Sequence, residues 1–158
     1  MTARLSISPS PIGLFTSQRG QALAMYVVYD SPLVMLADSP DSYMASDGTL
    51  SDGAEFLKEV PSTWDETRFI AGDIGDYVVI ARRKGTSWYV GAMTNEASRK
   101  ITVPMNFLGS GDWRARVWQD GADMNRIKTS TSKVGSRTSL PLTLAGSGGA
   151  VAVFTPQR

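Results

Sequence analysis

The sequence of 158 residues contains no cysteine and no histidine. The absence of cysteine excludes disulfide bonds and thiolate chemistry within this chain. The absence of histidine excludes a histidine general base, a Ser–His–Asp triad and any metal site with a histidine ligand. For a metal ion, only the Asp and Glu oxygens that suit hard cations remain.

Charge and long hydrophobic runs are also scarce. The formal net charge of +1 gives no argument for nucleic acid or a membrane surface as a partner. No run of 18 apolar residues occurs, so no transmembrane helix is expected. The first residues, 1–16, lack a continuous apolar core and contain Pro9 and Pro11, so they are not predicted to be a signal peptide.

The clearest strand pattern in the chain lies between residues 77 and 93. Residues 77–81 are apolar on both faces of an extended segment, which is typical of a strand covered on both sides. Residues 88–93 resume the alternation after a polar stretch at 82–85, where Gly85 can adopt a positive φ. This pattern predicts a β-hairpin with a solvated turn at Arg82, Arg83 and Lys84.

The rest of the chain extends this prediction. Residues 101–105, 113–118 and 140–144 alternate in the same way, and 150–154 predict a final strand after a glycine-rich turn, whereas 122–137 predict an exposed loop or weak strands. Upstream, residues 18–29 and 54–59 predict helices, and 33–37 predict a short buried strand. The fold class is therefore mainly β, an antiparallel β-sandwich preceded by a short α/β segment.

Three blocks of sequence resemble the C-terminal region of glycoside hydrolase family 97. They are VPSTWDET (60–67), GDYVVIARRKG (75–85) and WYVGAMTN (88–95). Upstream, residues 23–33 and 35–40 resemble the end of that family's catalytic barrel. The resemblance implies the tail of an enzyme with an N-terminal β-domain, a (β/α)8 barrel and a C-terminal β-domain, acting on α-glucosides or α-galactosides. It also implies a periplasmic or secreted bacterial parent, although no signal peptide is visible.

The resemblance divides the chain into three parts. Residues 1–17 form an unmatched leader, 18–60 a remnant of the barrel, and 61–158 the β-sandwich domain. The departure at Gln21, where the family usually has histidine, puts any role of that histidine in doubt. The predicted helix 18–29 is apolar on nearly all sides, so we expect it to lack cover within its own chain. Residues 18–60 should then cause self-association or require a barrel-bearing partner chain.

The candidate functional residues are few. In the family, the catalytic carboxylates and the calcium-ligating glutamates lie on barrel strands upstream of this chain, so no catalytic or metal-ligating residue is expected here. Asp38, at the end of the predicted strand, is either a wall residue of the active site or a helix cap. Trp64 is either a sugar-stacking residue or an anchor between the helical part and the β-domain. Trp118 alternates with Arg114 and Arg116 and is predicted to face outward, as a carbohydrate platform or as part of the core.

The leading functional prediction is a non-catalytic C-terminal domain that supports the barrel and takes part in oligomerisation. The alternative is a carbohydrate-binding β-sandwich module. A third prediction is an active hydrolase whose barrel belongs to a partner chain. Because the acid and base are absent, the chain is expected to be inactive by itself.

Overall fold

The computed structural model describes residues 19–31, 44, 48–51, 53–122 and 126–157. Within them, helices α1 (Arg19–Val28) and α2 (Ala54–Glu59) precede eight strands. The strands are β1 (Glu66–Asp73), β2 (Tyr77–Lys84), β3 (Ser87–Thr94), β4 (Arg99–Pro104), β5 (Trp113–Asp120), β6 (Ile127–Val134), β7 (Ser139–Leu144) and β8 (Gly149–Pro156). No described helix is long and apolar enough to cross a membrane.

The strands form two antiparallel sheets, which confirms the predicted mainly-β class. The larger sheet has six strands in the order β1-β2-β3-β8-β5-β6, and β4 pairs with β7 in a second sheet of two strands. Strand β8 therefore lies in the middle of the larger sheet, between β3 and β5. The polar stretch at 122–137, predicted as a loop or weak strands, contributes the exposed strand β6 at one edge.

The larger sheet has a hydrophobic core on each face. One core lies against β4 and β7 and includes Trp88, Phe107, Trp113 and Phe154. The other lies against α1 and α2 and is formed by the buried residues Leu23, Ala24, Val27, Phe56, Tyr89, Trp118, Ile127, Val151 and Val153. The molecule is thus a sandwich of two sheets with a helical layer added to the outside of the larger one.

The turn of the β2–β3 hairpin is shorter than predicted. Arg82, Arg83 and Lys84 belong to β2, where they pair with Tyr89, Trp88 and Ser87 of β3. The prediction of a solvated turn at these residues is wrong, because they continue strand β2. Their side chains point alternately toward the helical layer and away from it. Gly85 does adopt the predicted positive φ, at 58°.

Helix α1 lies close to the sheet because small residues line its contact with β3 and β8. A Cβ atom added at Gly91 would lie 2.8 Å from Cβ of Val27, and one at Gly149 would lie 2.8 Å from Cα of Gln21. The expectation that this helix lacks cover within its own chain is wrong, because Leu23, Ala24 and Val27 are buried against the sheet. The predicted strand 33–37 lies outside the described residues, and a domain boundary near residue 61 stays a prediction.

Replacing Gly91 by alanine should destabilise the domain. The added methyl group would overlap Val27 and push α1 away from β3, and overpacking of this kind costs about 1–3 kcal/mol. Urea unfolding monitored by tryptophan fluorescence measures the change. Gly109→Ala is a matched control, because the nearest atom to its added Cβ is 4.0 Å away. Equal losses in the two variants would show that close helix–sheet contact is not the cause.

Candidate interaction site

A buried arginine of the sheet holds the C-terminal end of α1. Arg82 is 4% exposed. Its Nε donates a hydrogen bond to the carbonyl oxygen of Val27 at 2.6 Å, and its Nη2 donates to that of Val28 at 3.2 Å. Its Nη1 donates to Thr67 Oγ1 at 3.1 Å and to Asp30 Oδ1 at 3.2 Å. The last carbonyls of a helix lack intrahelical partners and carry partial negative charge, so a guanidinium is well suited to them.

An aspartate of the sheet lies at the other end of α1. Asp120, the last residue of β5, accepts hydrogen bonds at Oδ2 from the backbone N–H groups of Ala145 (3.0 Å) and Gly149 (2.8 Å). Its Oδ1 is buried in the first turn of α1, close to Gly20. Burial raises the pKa of this carboxyl, against a smaller lowering by the N–H groups of Ala145, Gly149 and Gly20. Side chains of opposite charge therefore hold the two ends of the helix.

The raised pKa of Asp120 predicts a pH dependence of stability. The folded protein binds the proton of this carboxyl more tightly than the unfolded chain does. The contribution of Asp120 to the free energy of unfolding is fully present below the ordinary pKa of 3.8 and is lost as the pH rises through the raised, folded-state pKa. In Asp120→Asn, the free energy of unfolding should no longer fall with rising pH across this window.

Asp65→Asn is the control, because the pH dependence of stability expected from this carboxyl has the opposite sign. A hydrogen bond from the backbone N–H of Gly85, together with Lys84 and Arg83, holds the pKa of Asp65 below its ordinary 3.8. Its contribution is present above that value and is lost as the pH falls through the lowered pKa. Denaturant titrations at a series of pH values measure both slopes. A wild-type pH dependence that Asp120→Asn leaves unchanged would contradict the assignment.

Helix α2 covers Trp118, which is therefore not the exposed aromatic residue predicted from the sequence. Trp118 is 1% exposed, and its ring lies 5.6 Å from that of Phe56, centroid to centroid. Arg116 lies over the same ring and forms an ion pair with Glu59 of α2. The prediction of an exposed residue is wrong, whereas the alternative of a core residue is confirmed. The alternation distinguishes the two faces of a strand but does not show that helices cover the second face. Trp118 cannot stack on a sugar in this position.

Arg82 and Asp120, which hold the two ends of α1, are referred to below as the clamp on α1. Trp64 is half-buried beside the Arg82 end of this clamp. Its ring meets that of Tyr89 edge-on at 5.2 Å, and the guanidinium of Arg82 lies 5.9 Å from its centre. These contacts favour the anchor interpretation of Trp64, while a sugar-stacking role stays a prediction. Asp38 lies outside the described residues.

The neighbouring carboxylates Asp65 and Glu66 are engaged in local contacts. Asp65 accepts a hydrogen bond from the N–H of Gly85 at 2.7 Å, and Glu66 is paired with Arg68 and Arg83. The two arginines hold the pKa of Glu66 below its usual value. Carboxyls with lowered pKa values are poor general acids near neutral pH. Among the described residues, no group of three or more Asp or Glu side chains is placed to hold a metal ion.

One surface feature was missed from the sequence. Phe69 on β1 is 65% exposed, and Ile74 in the turn that follows is fully exposed. The alternation around residue 69 is interrupted by a register shift between Phe69 and Ala71, so the sequence pattern does not show which face Phe69 occupies.

The fold and these surfaces define an antiparallel β-domain with an attached helix. Residues 63–155 match the family model described as "Glycosyl-hydrolase 97 C-terminal, oligomerisation". A retaining α-galactosidase of Bacteroides thetaiotaomicron is 41% identical over 108 residues, which are 68% of this chain and 16% of that protein. A probable retaining α-galactosidase of Streptomyces bingchenggensis is 35% identical over 130 residues, 82% of this chain and 20% of that protein.

Solved structures agree with the sequence matches. A glycoside hydrolase family 97 enzyme from Pseudoalteromonas sp. strain K8, in complex with acarbose, superposes with a TM-score of 0.82 at 32% identity. The alignment covers 90% of this chain and 23% of that enzyme. The chain belongs to glycoside hydrolase family 97 and corresponds to the C-terminal oligomerisation domain of that family. It spans about a fifth of the length of the relatives that it matches.

Proposed function

We propose that this chain is the C-terminal part of an enzyme that hydrolyses α-galactosides, with no catalytic group of its own. In this role it supports the catalytic barrel and joins copies of the enzyme. The substrate class is supported by two relatives that are named retaining or probable retaining α-galactosidases. The joining of copies is supported by the description of the matched family model, which names oligomerisation.

The clamped helix carries the proposal of barrel support. The sequence resemblance assigns α1 to the end of the barrel, and its two ends are held to the β-sheet by Arg82 and Asp120. A helix that contacts both the β-domain and the barrel would fix their relative position without a flexible linker between them. The side of α1 that faces away from the sheet includes Ala22 and the partly exposed Met25, and the 50% exposed Tyr29 follows the last residue of the helix. This is the surface that would meet the barrel.

Calcium is implied only for the parent enzyme. The described residues do not fit a calcium site, because no group of three or more acidic side chains among them is placed to hold a metal ion, and the adjacent Asp65 and Glu66 are held by basic groups. We propose that the calcium ligands of the parent lie in its barrel, as the family resemblance implies.

The first experiment tests the absence of catalytic groups. The purified chain should show no turnover of nitrophenyl α-galactoside or α-glucoside, with or without calcium. Turnover that is abolished by a point substitution in this chain would overturn the proposal. Calorimetry against melibiose and maltose tests the carbohydrate-binding alternative, for which a sub-millimolar affinity lost in Trp64→Ala would be the supporting result.

A chimera tests support of the barrel. The matching C-terminal segment of the Bacteroides enzyme, 16% of its length, is replaced by the matching part of this chain. The chimera should be soluble and hydrolyse an α-galactoside, whereas deletion of the segment should give insoluble or inactive protein. A chimera that carries Arg82→Met should lose thermal stability. An active, soluble deletion variant would show that the domain does not support the barrel.

A further inference from the structure

The two described helices lie at a regular interval across the larger sheet. α1 lies over β3 and β8. α2 lies over β5 and β6, with the ring of Phe56 against Trp118 and the N-cap residue Gly53 beside Ile127. Because β8 and β5 are neighbours in the sheet, the two helices are separated by two strand spacings, or about 10 Å. This is the usual distance between the axes of packed helices.

The same side of the sheet continues onto β2 and β1, where three apolar residues form a surface called here the β1–β2 strip. Phe69 pairs with Ile80, and Ile80 pairs with Gly91 beneath α1, so Phe69 and Ile80 face the helical layer. Val78, two residues before Ile80, faces the same side. Despite the register shift that follows Phe69, its ring lies beside Gly72, the pairing partner of Val78. Phe69 is exposed, Val78 and Ile80 are partly exposed, and none of the three belongs to either hydrophobic core.

The position and chemistry of the β1–β2 strip suit a third helix. The strip lies two strand spacings from α1, on the side opposite α2, and so continues the interval between the described helices. Leu23 of α1 points toward Gly53, whereas Val28 lies on the other flank of α1, over Gly91 and beside the strip. The strip offers apolar side chains on the face of a sheet and no free backbone groups, which favours a packed helix over an added strand.

The order of helices in a barrel indicates which helix this is. In a (β/α)8 barrel the helices form an outer ring, so each has the preceding helix on one side and the following helix on the other. The sequence resemblance assigns α1 and α2 to the end of the barrel, and α2 follows α1 on the side of β5 and β6. The preceding helix would therefore lie on the other side of α1, over β1 and β2. The relatives are about five times longer than the part that this chain matches, so their barrels have room for it.

We propose that the β1–β2 strip binds the barrel helix that immediately precedes α1 in the parent enzyme. Three consecutive barrel helices then lie side by side on the larger sheet, with α1 in the middle. The inference rests on the barrel support proposed above, and it names the surface and the partner element through which that support acts.

The chimera described above and the isolated chain together test the strip. In the chimera, Phe69→Lys and Ile80→Lys should each shorten the half-life of α-galactosidase activity at elevated temperature by about 10-fold or more, because each places a charge against a packed helix. In the isolated chain, Phe69 is exposed, so Phe69→Lys should shift the urea midpoint by no more than about 0.3 M. Ser130→Lys adds the same charge on the exposed edge strand β6 and is the matched control, with no effect in either protein.

Hydrogen exchange of the chimera identifies the partner element. Phe69→Lys should raise amide exchange in the barrel helix that precedes the counterpart of α1, because that helix loses its packing surface. Barrel helices on the opposite side of the ring should keep their protection. Phe69→Leu retains an apolar side chain at the same place and should leave the exchange of every barrel helix unchanged.

The outcomes separate this inference from the function on which it rests. An active, soluble deletion variant overturns the proposed barrel support and the inference with it. A deletion variant that fails, together with Phe69→Lys and Ile80→Lys chimeras as durable as the Ser130→Lys chimera, overturns only the assignment to the β1–β2 strip. Equal losses for Phe69→Lys in the isolated chain and the chimera would show that this chain covers the strip itself. Self-association of the isolated chain that Phe69→Lys abolishes would make the strip a contact between copies, and either result overturns the inference.

Discussion

Replacing Trp118 by alanine should lower the free energy of unfolding by about 3–5 kcal/mol, the range for removal of a large buried aromatic side chain. Trp118 is 1% exposed, its ring is in contact with Phe56, and Arg116 covers it from the side of α2. The deletion would leave a cavity between the sheet and the helical layer. A small domain has only about 5–15 kcal/mol of stability in total, so a part of the variant should be unfolded at 37 °C.

Chemical denaturation with circular dichroism as the signal measures this loss. Tyr29→Ala is the control, because it removes an aromatic ring that is 50% exposed and should change stability by about 0.5 kcal/mol or less. A loss below about 1 kcal/mol for Trp118→Ala would contradict burial of this residue and would reopen its role as an exposed platform.

Replacing Arg82 by methionine is expected to lower the free energy of unfolding by about 2–4 kcal/mol, because hydrogen bonds from a charged donor to buried acceptors are lost. Methionine keeps much of the aliphatic volume, so the loss reports mainly on the polar contacts. The carbonyl oxygens of Val27 and Val28 would lose their arginine donors at the end of α1. The helix should also become more accessible to proteases before global unfolding.

The adjacent arginine provides the control for this experiment. Arg83 is 34% exposed and pairs with Glu66 and Asp65 on the other side of the strand. Exposed pairs of this kind contribute about 1 kcal/mol or less, so Arg83→Met should have a small effect that decreases in high salt. Equal losses in the two variants, or a loss for Arg82→Met that salt abolishes, would show that Arg82 is not buried at the helix end.

The strands were predictable from the sequence because their side chains alternate with a period of two residues. Residues 140–144 carry apolar groups at this spacing, whereas 77–81 and 88–93 are apolar on both faces, and each of the three lies in a strand of the structure. Helices α1 and α2 were predicted to within about two residues, because proline and glycine mark their ends. The local sequence pattern is therefore sufficient to predict an element where the spacing of its apolar residues matches the period of that element.

The clamp on α1 was not predictable in the same way, because it depends on contacts between distant residues. Arg82 follows an apolar run and precedes Gly85, which is the usual setting of a solvated turn, and its acceptors lie 54 and 55 residues upstream. The close approach of Gly91 and Gly149 to α1 likewise appears only once β3 and β8 lie side by side. Burial of Trp118 required knowledge of what covers the second face of the sheet.

The position of β8 in the sheet has a consequence for how the chain is made. β8 pairs with β3 on one side and with β5 on the other, yet it is the last of the eight strands to leave the ribosome. Until residues 149–156 emerge, the sheet exists as two separate halves, and α1 has no completed surface on which to lie. We expect the nascent chain to stay open to chaperones through most of its synthesis and to close late, in one concerted step.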